Sequence, residues 1–229
     1  MTAVADHTLP RRLRKALRRH GAVGVVRAAA QRVRQRTWID ETHVWYEAAP
    51  GDVPRPAELG AGRRLFAAGP DQLDLLSRLP TFVTADEAAR RLEDRDAELW
   101  LVTAQDEPVF CCWLFRSSTP VAGAPDGWVD LPAAFAIIED VATAERHRGN
   151  GIASTALAMI ARRVDERSNQ SVLAKVDHRN RASRRAFRKA GFRPVARMHR
   201  QERGPFTSVS VEAMPQRPSV AMLRKRLSR

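Results

Sequence analysis

The chain has 229 residues, enough to bury the core of one domain of ~150 residues and leave an extension over. No apolar run approaches the ~18–20 residues of a membrane span and no apolar leader core follows Met1, so a cytoplasmic chain is expected. The formal net charge is +13, but 35 of the 39 basic residues are arginine in an alanine-rich chain, a bias GC-rich coding also produces, so bulk charge gives no strong nucleic-acid signal.

Residues 10–36 hold ten Arg or Lys and no Asp or Glu. Leu13, Ala16 and Leu17 form one apolar stripe and Val25, Val26, Ala29, Ala30 and Val33 another, which predicts two short basic amphipathic helices. They would either pack on the domain or dock on an anionic surface: a membrane, an acidic acyl carrier protein or RNA. The latter would make the chain peripheral at the membrane.

Trp38 to Glu47 alternates and is rich in β-formers, so a strand is predicted, with the only tyrosine, Tyr46, near its end. Pro50 to Gly62 reads as a linker. Arg64–Ala68 reads as a strand, Asp71–Leu79 as a helix entered through Pro70, and Thr84-Ala85-Asp86-Glu87 as a capping box opening a helix to about Glu93. Leu99–Val102 and Pro108–Phe115 form a strand pair turned at Gln105-Asp106-Glu107, the second apolar on both faces and therefore central. Its adjacent Cys111 and Cys112 point to opposite faces and are expected as buried, reduced thiols. Ser117 to Pro132 reads as a long loop whose Trp128 either covers the sheet or meets a ligand.

Ala134–Ile138 reads as a buried strand, and Ile152–Ala161 as a helix. Between them stands Arg146-His147-Arg148-Gly149-Asn150-Gly151. A strand feeding a basic, glycine-rich turn into a helix aims unpaired N–H groups and the positive end of a helix dipole at one point, where an anion such as a pyrophosphate belongs. No Gly-Lys-Ser/Thr follows, so this is not a Walker loop. Downstream come a strand at Ser171–Asp177 and a helix at Arg181–Ala190. The latter ends at Gly191, placed as the left-handed residue of a C-cap with Phe192 folding back. Arg193–Gln201 and Thr207–Ala213 form an antiparallel pair, and the tail from Pro218 is either a short basic helix or disordered.

Arg146-x-x-Gly149-x-Gly151 resembles the acyl-CoA signature of the GCN5-related N-acetyltransferase (GNAT) superfamily, [Q/R]-x-x-G-x-[G/A]. Asn180-x-x-Ser183-x-x-x-Phe187-x-x-x-Gly191-Phe192 resembles its N-x-x-[A/S]-x-x-x-Y-x-x-x-G-F element. The two occur in the family's order, one helix and one strand apart. The resemblance implies an α/β (α+β) fold with a central mixed, mostly antiparallel sheet of about six to seven strands flanked by helices. The expected division is a basic helical extension with an extra strand and linker at 1–62, an acyltransferase domain at 63–213 and a basic tail at 214–229.

It also implies acetyl-CoA or another acyl-CoA as co-substrate. The pyrophosphate would lie on the backbone of Arg148, Gly149, Asn150, Gly151, Ile152, Ala153 and Ser154, beside Arg146. The pantetheine arm would meet Val141, Ala142, Thr143, Asn180, Ser183 and Phe187, with a backbone N–H, that of Val141, polarising the thioester carbonyl. Glu139 and Asp140 precede that strand end, and polyamine-type members carry a Glu-Asp pair at the same offset. The pair is expected to be catalytic, with Glu139 as base or as binder of the acceptor's positive charge. The family's tyrosine, which protonates the leaving thiolate, falls at Phe187, and a phenyl ring cannot donate. His147 and His178 lack metal-ligand spacing, and no metal is expected. The expected activity is acetyl transfer to a primary amine by direct attack. The alternatives are transfer of a longer acyl chain from acyl-CoA or acyl carrier protein, and a catalytically weak CoA- or nucleic-acid-binding regulatory module. The acceptor's identity is open, as is a homodimer.

Overall fold

The computed structural model describes residues 38–81, 83–94, 96–121, 127–203, 206–214 and 217–227. The predicted basic helices at 10–36 lie outside these residues. The chain divides into two units, residues 1–40 with 201–207, and residues 41–200 with 208–229. In the first, the Arg203 guanidinium lies over the Trp38 ring at 4.7 Å. The rest of the description concerns the second.

Among the described residues ten strands are formed: β1 (Trp38–Ala48), β2 (Arg63–Ala68), β3 (Ala97–Ala104), β4 (Glu107–Phe115), β5 (Ser118–Pro120), β6 (Trp128–Asp130), β7 (Phe135–Thr143), β8 (Ser171–Asp177), β9 (Arg193–Arg203) and β10 (Phe206–Ala213). The α-helices are α1 (Ala85–Asp94), α2 (Ile152–Ser168), α3 (Arg181–Lys189) and α4 (Pro218–Leu227), and Pro70–Arg78 forms a 3-10 helix. Eight strands make one sheet in the order β10-β9-β1-β8-β7-β4-β3-β2. The sheet is mixed and mostly antiparallel, as expected, with β7 and β8 running parallel. It reaches eight strands because β1 joins it, antiparallel to β8.

Local chemistry explains much of this. The β3–β4 hairpin turns at Gln105 and Asp106, both left-handed at φ 50° and 64°, the twist that a tight two-residue hairpin needs. Thr84 caps α1 by accepting the Glu87 N–H at 3.2 Å. Gly191, at φ 94°, closes α3, with Phe192 N–H donating to Phe187 O at 3.0 Å and Gly191 N–H to Arg188 O at 3.1 Å. A Cβ on Gly191 would also meet Pro54, so both backbone and space demand glycine. The segment read as a long loop contains the β5–β6 ladder, and Trp128 packs edge-on against Phe115 at 6.0 Å. It covers the sheet.

Two apolar layers sandwich the sheet. On one face Ile152, Ala156, Leu157, Ile160 and Val164 of α2 and Phe187 of α3 pack on Phe110, Cys112, Leu114 and Ile138. On the other the 3-10 helix, α1 and α4 pack on Cys111, Trp113, Phe115 and Ile137. β4 supplies both layers, which is why its sequence does not alternate in polarity. The basic tail is helical: Val220, Met222, Leu223 and Leu227 of α4 enter the second layer, and Ser219 Oγ donates to the buried Glu47 at 2.8 Å. Among the described residues no helix is long and apolar enough to cross a membrane.

Leu223 is 2% exposed, so Leu223→Ala should lower unfolding free energy by roughly 2–4 kcal/mol in urea titrations. A change under about 0.5 kcal/mol would mean that α4 does not contribute to the core.

Candidate active site

The site begins where a ladder stops. β7 and β8 pair from Phe135↔Ser171 to Ile138↔Ala174 and no further. Beyond that point Lys175, Val176 and Asp177 keep only the pairing with β1 that runs along the other edge of β8, opposite Trp45, Val44 and His43. On its other edge β7 pairs with β4 at Trp113↔Glu139 and again at Cys111↔Ala142. Two β7 residues, Asp140 and Val141, therefore oppose Cys112 alone, which is a β-bulge. Asp140 takes the left-handed conformation at φ 50°.

The bulge resets the alternation of side chains. Val141 packs in the α2/α3 layer and Ala142 in the opposite one. Asp140 is exposed at the α1 side, where its carboxylate accepts Arg91 Nη1 at 2.6 Å. Arg91 also donates to Glu87 at 3.1 Å and lies over the rings of Trp113 and Phe115 at 5.3 and 5.6 Å. Asp140 is thus held in an ion-pair cluster. Glu139 is held differently. Its side chain is 12% exposed, the Lys175 ammonium stands 3.7 Å from Oε1, and Oε1 has no hydrogen-bond partner. Burial, only partly offset by Lys175, pushes its carboxyl up to about 7. A carboxylate that titrates near neutrality is suited to taking a proton.

The glycine-rich turn adopts the geometry its residues suggest. Gly149 and Gly151 are left-handed at φ 83° and 74°, and Gly151 caps α2 without a side-chain bond to its donors. No acid occupies the first turn, and the first helical bond runs from Thr155 N–H to Gly151 O at 3.0 Å. The N–H groups of Ile152, Ala153 and Ser154 therefore precede the first intrahelical bond, and no acidic side chain compensates the dipole. Ser154 Oγ donates back to Gly151 O at 2.9 Å. Asn150 is exposed, Arg148 Nε donates to Thr143 O at 3.3 Å, and Arg146 pairs with Glu107 of the β3–β4 hairpin. This end of α2 can receive an anion.

The second motif supplies a cap and a core residue. Asn180 Oδ1 accepts the Ser183 N–H at 3.0 Å, opening α3. Phe187 is 2% exposed between Tyr46, at 6.1 Å, and Phe192, at 5.1 Å. It is placed in the core, and β1 brings the chain's one tyrosine against it. The Tyr46 hydroxyl accepts Arg184 Nε at 3.2 Å. Sequence reasoning missed Lys175 and Arg91, because nothing local marks a lysine in a strand or an arginine in a helix as the partner of a distant carboxylate. Cys111 and Cys112 are fully buried, the first pushed up to about 12 and the second well above its ordinary value by burial. Neither can serve as a thiolate nucleophile at neutral pH. Among the described residues no group of three or more His, Cys, Asp and Glu could hold a metal ion.

Removing Arg91 strands Asp140 in its left-handed bulge and uncovers two aromatic rings. Arg91→Ala should cost roughly 2 kcal/mol in denaturant unfolding, given charged hydrogen bonds and cation–π contacts of this kind. An unchanged midpoint would remove the cluster's part in holding the bulge.

The family model described as the acetyltransferase (GNAT) family matches residues 72–192, just over half of the chain. No curated protein matches in sequence. Among solved structures, a GCN5-related N-acetyltransferase from Sphaerobacter thermophilus superposes with a TM-score of 0.51 at 20% identity, covering 78% of this chain and 57% of its own. A Drosophila protein superposes with a TM-score of 0.51 at 9% identity, covering 84% and 58%. The chain thus spans less than two thirds of the length of either.

Proposed function

The chain belongs to the GNAT family of acetyltransferases, and from that premise we propose that it transfers an acetyl group from acetyl-CoA to a primary amine by direct attack. The observation that carries this reading is Glu139: a buried carboxylate pushed up to about 7, beside the opening between β7 and β8. The N-terminus of α2, from Arg148 to Ser154, binds the pyrophosphate through backbone N–H groups. The pantetheine arm enters the gap along Val141, Ala142 and Thr143, with Asn180 and Ser183 at the start of α3. The Val141 N–H polarises the thioester carbonyl.

Glu139 takes a proton from the acceptor ammonium, and the neutral amine attacks the carbonyl carbon. The C–N bond forms, the C–S bond breaks, and the second amine proton passes to solvent as the intermediate collapses. Phe187 cannot protonate the leaving thiolate; a thiol titrates near enough to neutrality for solvent to do so. Asp140 keeps the bulge in place through Arg91 and takes no proton.

Saturating acetyl-CoA, at about a hundred times its dissociation constant, should stabilise the protein by ~2.7 kcal/mol, visible as a raised melting temperature. No shift with acetyl-CoA or CoA would overturn the cofactor site, and a shift only with longer acyl-CoA would move the reading to longer-chain transfer.

Because the carboxylate form is the active base, the rate should fall as pH drops through about 7. Glu139→Gln should lower kcat/KM by about 10²–10⁴ and abolish that acid limb. An unaltered pH–rate profile in the variant would exclude Glu139 as the base.

A further inference from the structure

The strand registers line up four side chains in one row across the opening: Trp113, Glu139, Lys175 and Trp45. Residues paired across a sheet share a face, here the face covered by α1 and α4. At the centre, Glu139 and Lys175 lie 3.7 Å apart, each side chain 12% exposed. That separation is longer than a hydrogen bond. Oε1 of Glu139 has no hydrogen-bond partner, and neither do the indole N–H groups of Trp113 and Trp45, whose side chains are fully buried. The row is electrically balanced but poorly satisfied.

We infer, resting on the acetyltransferase reading, that this row is the acceptor site and that its acceptor is a zwitterion: an α-amino acid whose ammonium meets Glu139 and whose carboxylate meets Lys175. A bare amine would draw Glu139 from Lys175 and leave an almost buried ammonium without a counter-charge, which is costly. A zwitterion exchanges one long ion pair for two short ones, because its own charges sit one carbon apart with the polarity the row requires. The other charged groups nearby are already engaged. Asp140 is held by Arg91, Glu41 by Arg200 at 3.3 Å, and Asp177 accepts the Arg179 N–H at 2.7 Å. Among the described residues, none of these carboxylates stands in the row itself to receive the further ammonium of a polyamine. His43, two residues from Trp45 on the same face of β1, has its pKa pushed down by burial and then by Lys175, and contributes no competing charge at neutral pH.

The test is a matched acceptor panel with purified full chain and acetyl-CoA, reading CoA release. It pairs α-amino acids (leucine, phenylalanine, histidine, lysine) with the amines formed by removing their carboxylates, and adds spermidine. The expected kcat/KM is at least tenfold higher for an amino acid than for its decarboxylated partner. Lys175→Met should bring that ratio close to one, chiefly by raising KM for the carboxylated acceptor, and Lys175→Arg should retain it. Any effect of Lys175 on the Glu139 base is common to both acceptors and cancels in the ratio. A decarboxylated amine or spermidine equal to or better than every amino acid overturns the inference, as does a ratio unchanged in Lys175→Met. Calorimetric binding of the same amino acids to the protein with CoA separates the two claims. Binding lost in Lys175→Met without any turnover upholds the zwitterion site and sinks the transferase reading. No binding by any amino acid sinks the site.

Discussion

The interruption of the β7–β8 ladder after Ile138 and Ala174 is the constraint on which the rest of the site depends. Parallel strands that continued to pair would satisfy the backbone of Val141, Ala142 and Thr143 and leave nothing to offer a ligand. Here β8 stays paired to β1 along its other edge, while β7 is bent by the bulge at Asp140 and Val141. A left-handed aspartate costs about 1–2 kcal/mol relative to ordinary strand geometry. The Arg91 cluster opposes that cost, tying α1 to the bend through Asp140 and to β4 through the rings of Trp113 and Phe115. An arginine 49 residues away in sequence thus acts on the geometry of the bulged strand.

β1 has a structural and a chemical consequence. Structurally it is an interior strand of the sheet, between β8 and β9. Trp45 and Tyr46 are both fully buried, on opposite faces. Chemically it lines both sides of the opening. Trp45 and His43 face the Glu139–Lys175 row, and Tyr46 stacks on the phenyl ring that stands where the family's tyrosine would be. The same residue alternation that makes a strand amphipathic lets one element serve both layers.

The arginine surplus is deployed locally. Arg91, Arg116 and Arg200 are largely buried and each pairs with a carboxylate, while Arg163 lies over Trp100 at 5.1 Å. Planar guanidinium groups tolerate such partly dry, stacked positions better than lysine. Lys175, paired with Glu139, is by contrast a compact point charge. Glu139 titrates near neutrality because burial outweighs that single imperfect partner.

The sequence alone determined what short-range chemistry controls. A glycine-rich turn joins strand to helix at Gly149 and Gly151, and the left-handed Gly191 ends α3; each is decided within a few residues, and both features occur as read. The apolar β4 declared itself central because no exposed face could tolerate its composition. Only the tertiary structure decided which distant residues meet. Asp140 and Arg91 are brought together by the packing of α1 on the sheet, and Glu139 and Lys175 by the parallel register of β7 and β8. Phe187 and Tyr46 meet through the insertion of β1. The tail from Pro218 read as either a short basic helix or disordered; the second apolar layer supplies the surface that buries its Val220, Met222 and Leu223. These contacts depend on strand order and register, which are long-range properties set by the balance of many burials, and no window of neighbouring residues encodes them.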